Sequence, residues 1–112
     1  MSQHQHKIIA DFMGEKTWET ENGNIMAMRN GGSGHITDVF PYDKDFNLLI
    51  KVAEKIETLK YYVSFSSRQA QVCDKNWNLV IDADFEDTFI DNAYSCIVAF
   101  IKWYNKNLES TN

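Results

Sequence analysis

Apolar residues recur at helical spacing in three stretches of the chain and alternate with polar residues in a fourth. Ile8, Ile9, Phe12 and Met13 share one helix face and Gly14 follows as a stop, which predicts a short first helix over 7–13. After Pro41, Phe46, Leu49, Ile50, Ala53, Ile56 and Leu59 keep the same period, with Asp43 as candidate N-cap. Lys44, Asn47, Lys51, Glu54, Lys55 and Glu57 fall mostly on the opposite side, so this is an amphipathic helix of about four turns. From Lys60 the period becomes two. Tyr61, Val63 and Phe65 alternate with Tyr62, Ser64 and Ser66, Val72-Cys73 follows a polar turn, and Trp77, Leu79 and Ile81 alternate again. Three antiparallel strands in a meander are expected there, with one face of the sheet less buried.

The last helix carries the strongest signal. Thr88 is its candidate cap, Asp91 stands three residues on, and Lys102 and Lys106 lie toward the end, where the helix dipole favours cations. Its apolar positions form two stripes, one through Ile90, Ala93, Tyr94, Ile97, Ile101 and Tyr104 and one through Phe89, Cys96, Phe100 and Trp103. An arc that wide is buried on more than one side. The expected fold is therefore a single α+β domain over 1–112, a three-stranded meander packed against about three helices with the C-terminal helix central. Residues 1–6 read as a flexible tail. Residues 15–40 read as a variable loop region, holding one possible strand over 24–29 and the glycine-rich Asn30-Gly31-Gly32-Ser33-Gly34.

Composition narrows the classes without naming a function. The 112 residues suffice for one domain, and 44% hydrophobic content with 15 aromatic residues argues against disorder. No apolar run approaches the roughly 20 residues of a membrane span, no signal-peptide core is present, and Cys73 and Cys96 form no disulfide framework. A cytoplasmic location, with no membrane partner, is the expectation. With 11 basic against 16 acidic residues, a net charge of −5 and only Arg29 and Arg68 as arginines, the chain lacks the footprint for direct nucleic-acid binding.

The candidate chemistry mostly dissolves on inspection. His4, His6 and His35 are too few and too scattered for zinc, so neither metal nor cofactor is expected. The glycine run lacks the lysine of a phosphate loop and the frame of a dinucleotide fingerprint. Asp82-Ala83-Asp84-Phe85-Glu86-Asp87 fails the calcium-loop pattern at its sixth and twelfth positions, which are Asp87 and Ala93. The two thiols have no neighbouring base and read as buried, and Gly-x-Ser-x-Gly is absent, so no enzyme activity is expected. Asp82, Asp84, Glu86 and Asp87 remain as an acidic patch suited to a basic partner surface, with Trp18 and His35 at the ends of the glycine-rich region as the second place for an interface.

Ile9-Ala10-Asp11-Phe12-Met13-Gly14, Glu54-Lys55-Ile56-Glu57 and Phe100-Ile101-Lys102-Trp103-Tyr104-Asn105 resemble a family of small uncharacterised proteins of Bacteroidetes bacteria and their phages. The family pattern carries two tryptophans and a proline in the middle helix, where this chain has Phe46, Leu48 and Lys51. The likeness covers about a third of the chain and implies a mobile-element source rather than an activity. Size, acidity and source together resemble the inhibitors that phages deploy against host immunity. The expected function is a non-enzymatic inhibitor of a host defence protein, an anti-CRISPR acting on an RNA-guided effector, type VI among the candidates, as monomer or weak dimer. Two alternatives stand beside it: an accessory protein that binds a replication or morphogenesis protein, and a small-molecule binder for a nucleotide signal, built on the glycine loop and nearby aromatics. Poverty in arginine counts against the last.

Overall fold

A computed structural model describes residues 3–66, 69–83 and 88–111, the side chains of 109–111 excepted. Among them the chain forms four helices and two three-stranded antiparallel sheets.

Helix α1 (Gln3–Phe12) buries His6, Ile9 and Ala10. It ends where Gly14 takes φ +77°, with the Glu15 amide donating to Ala10 C=O at 2.9 Å and the Gly14 amide to Asp11 C=O at 3.1 Å. That pair of bonds is the Schellman arrangement, which asks for a left-handed residue that glycine supplies without strain. The helix starts earlier than its apolar spacing alone predicts, and the expectation of a flexible tail is corrected for residues 3–6. Gln3 Nε2 donates to Gly23 C=O and Gln3 Oε1 accepts from the Ile25 amide, both at 2.9 Å, while His6 is wholly buried.

The region expected to be a long loop holds a whole three-stranded sheet. Strands β1 (Thr17–Glu19), β2 (Ile25–Arg29) and β3 (Gly32–His35) pair antiparallel in chain order. Arg29 faces Gly32 across a two-residue turn in which Asn30 (φ +53°) and Gly31 (φ +85°) are both left-handed. Asn-Gly is the pair a type I′ hairpin favours, so the glycines that suggested flexibility instead close a tight turn. Ile25 and Ala27 point to the core. A short helix, α2 (Ile36–Val39), follows and covers the inner face together with α1.

Helix α3 (Phe46–Thr58) is capped by Asp45, whose carboxylate accepts from the Asn47 amide at 3.0 Å. The cap is therefore Asp45 rather than Asp43, which pairs with His6 instead. Strands β4 (Tyr62–Phe65), β5 (Ala70–Cys73) and β6 (Leu79–Ala83) make the predicted meander, with a register shift at Val72/Cys73. Val63, Phe65, Val72 and Ile81 face α3 and α4. Helix α4 (Phe89–Thr111) opens with the Asp91 amide donating to Thr88 Oγ1 at 3.1 Å, as its sequence suggests. It packs against α1, α3 and all three strands of the second sheet. Its Tyr94, Ile97, Phe100 and Ile101 are fully buried, so the C-terminal helix is the centre of the core.

Candidate binding surfaces

The second sheet is covered on one face only. Tyr62, Cys73 and Leu79 form one row across its three strands, and directly paired residues point to the same side. Tyr62 is 44% and Leu79 52% exposed, so this row lies on the outer face. Trp77 joins it from the preceding turn rather than as the strand residue its sequence spacing suggests. The Asp74 carboxylate accepts from the amides of Asn76 at 2.9 Å and Asn78 at 3.0 Å, bonds that hold its carboxyl below the usual carboxylate range. Those bonds fold the segment into a tight turn in which Trp77 sits at φ +67°. Its indole lies flat on the Tyr62 ring, centroids 4.3 Å apart and planes 6° from parallel, and Trp77 remains 70% exposed. At the other end of the same face stand Ser64, Gln71 and Asp82, which pair across the strands.

Asp82 is thus the one acidic-patch residue the structure describes. It is exposed, and its Oδ1 accepts from Gln69 Nε2 at 2.8 Å. Asp84, Glu86 and Asp87 lie outside the described residues. Trp18 and His35 are on the other sheet and share one row, Trp18 opposite Met26 and Met26 opposite His35. Trp18 is 36% exposed, whereas His35 is half-buried and engaged locally, since its Nδ1 accepts from the Thr37 amide at 3.3 Å and so caps α2. The structure therefore brings Trp18 and His35 together and leaves Asp82 apart from them.

Two features escape reading by sequence. The first is a buried chain of polar groups in which His6 Nε2 stands 3.1 Å from Asp43 Oδ1 and the Tyr94 hydroxyl 2.9 Å from His6 Nδ1. If Nε2–H donates to the carboxylate, Nδ1 is left to accept the tyrosine proton. Burial, with the Asp43 charge adding to it, pushes the Tyr94 hydroxyl well above the usual phenol range. With His6 and Tyr94 sealed from solvent and Asp43 partly exposed, the set ties α1 to α4. The second is a groove of about 510 Å3 between the end of α1, the β2–β3 hairpin and α3. No local motif announces it, because its residues come from four separate segments.

Cys96 is buried, and burial, then the Asp82 charge, pushes its thiol up to about 12; Cys73 is only half-buried, on the outer face beside Tyr62 and Leu79. Among the described residues no three His, Cys, Asp or Glu side chains gather as a metal cluster, and no helix is long and apolar enough to cross a membrane. No protein-family model, curated protein or solved structure matches the chain.

Proposed function

We propose that this chain is a non-enzymatic binding protein that inhibits a host defence protein by docking the outer face of its second sheet on a basic surface of that partner. The observation that carries the reading is the Tyr62–Trp77 stack. A tryptophan left 70% exposed and locked flat on a tyrosine is a preorganised anchor, and these two residue types dominate binding energy at protein interfaces. Asp82 at the far end of the face, in a chain of net charge −5, supplies the complement to a basic surface. The choice of a defence protein rests on the resemblance to the small proteins of Bacteroidetes phages. An RNA-guided type VI effector, whose guide channel must be basic to hold RNA, is the first partner to test.

The experiment is phage challenge of cells carrying such an effector, with and without this protein, paired with binding of the purified effector to the purified protein. Wild type should restore phage growth and bind. Trp77→Ala should weaken binding by about 10- to 100-fold, in the range of an interface anchor, and Asp82→Lys should slow association, most at low salt. If both variants fold and bind like wild type, the face is not the interface. Failure to relieve any defence system in a panel overturns the inhibitory function.

A further inference from the structure

The groove at the end of α1 gathers positive charge in an acidic protein. Lys16, Arg29 and Lys51 line it, against Glu15 as its one carboxylate. Each cation arrives by a different structural device. Lys16 follows the Schellman turn at Gly14, and its carbonyl accepts from the Met28 amide at 3.2 Å, which fixes it beside the end of β2. Arg29 is the last residue of β2, set against Gly32 by the type I′ turn. Lys51 stands one helical turn beyond Leu48 on α3, so both face the groove. Among the described residues Lys7 pairs with Asp11, and none of the three groove cations has a carboxylate at ion-pair distance.

Beside these charges the wall is apolar, with Phe40 and Leu48 nearly buried and Met28 exposed. The Arg29 guanidinium lies 5.7 Å from the centre of the Phe40 ring, and Phe40 stacks on Tyr42 with planes 8° apart. Met13, Met28 and Leu48 complete the lining. A guanidinium held against a ring keeps its N–H fork free for two oxygens of a phosphate, and thioethers suit contact with an aromatic ring. The volume lies within the ordinary range for small-molecule sites and exceeds the need of a bare phosphate.

From this juxtaposition we propose that the groove binds a nucleoside phosphate, its phosphate on Arg29, Lys16 and Lys51 and its base against the exposed Met28 and the half-buried Met13. The site shares none of the anchors of the outer face of the second sheet, so it stands or falls separately from the docking function.

Titration calorimetry and thermal melting with the four ribonucleoside 5′-monophosphates and their triphosphates test it, with adenosine and inorganic phosphate as partial probes. At least one nucleotide should bind and raise the melting temperature, about tenfold or more tightly than adenosine or phosphate alone, and binding should weaken as salt rises. Arg29→Ala should weaken binding by about tenfold or more and Lys51→Gln by a smaller factor, while Trp77→Ala leaves it unchanged. Both substituted cations are exposed, so the variants should melt with wild type in the absence of ligand. No binding by any nucleotide at about 1 mM overturns the proposal. So does phosphate or adenosine binding as tightly as the nucleotide, or full affinity in both folded variants.

Discussion

The Tyr94 hydroxyl meets His6 Nδ1 at 2.9 Å, joining two residues 88 positions apart and fastening the first helix to the last. Both side chains are sealed from solvent, and the other nitrogen of His6 is taken by Asp43. The N-terminal segment is therefore part of the core, which has a direct consequence for stability.

Tyr94→Phe strands a buried acceptor and should cost about 1–3 kcal/mol, and His6→Ala, which also opens a cavity, should cost more. The two losses should be less than additive, since each removes the same bond. Urea unfolding of both single variants and the double variant measures this. Full additivity would show that the hydroxyl and imidazole act independently.

Ile97→Ala and Ile101→Ala each empty a fully buried site on α4 and should cost about 2–5 kcal/mol. That is a large share of the ~5–15 kcal/mol typical of a domain. If both variants unfold at the wild-type urea midpoint, α4 is not the centre of the core.

Gly31→Ala isolates the backbone requirement of the hairpin. An added Cβ would meet nothing within 4 Å, so any loss comes from φ +85° alone and should be about 1–2 kcal/mol. Asn30→Gly should be nearly neutral, because glycine adopts the same left-handed conformation freely. Equal stability of Gly31→Ala and wild type in thermal melting would contradict the type I′ turn.

Burial raises the Cys96 thiol from its ordinary 9.0 to about 12 and raises the hydroxyls of Tyr42 and Tyr94 as well. The native state thus holds protons that the unfolded chain releases. This contribution to stability is complete below the thiol's unfolded value of 9.0 and is lost as pH rises toward about 12. Urea midpoints should fall steadily from about pH 9 upward, and Cys96→Ala should make the first part of that fall shallower. A midpoint unchanged to about pH 11 would rule the linkage out.

Elements whose signals are local are legible along the chain. The two apolar stripes of α4, the single face of α3 and the alternation from Tyr62 to Phe65 each repeat within one element, so period alone assigns them. The chain also carries Asn30-Gly31, whose hairpin preference is local, but β1 and β3 are three and four residues long and too short to alternate. Only pairing on β2 made strands of them. The rest depends on contacts between distant segments. His6 lies on a helix face like any polar residue until Asp43 and Tyr94, 37 and 88 positions away, satisfy both its nitrogens. Trp77 reads as a strand residue until the Asp74 turn lays it on Tyr62. Lys16, Arg29 and Lys51 are ordinary surface cations singly, and only the packing of a helix end, a hairpin and a second helix brings their charges to one wall. Periodicity reports which face of an element is buried, whereas a site depends on which elements meet, and that is fixed by the packing of the whole core.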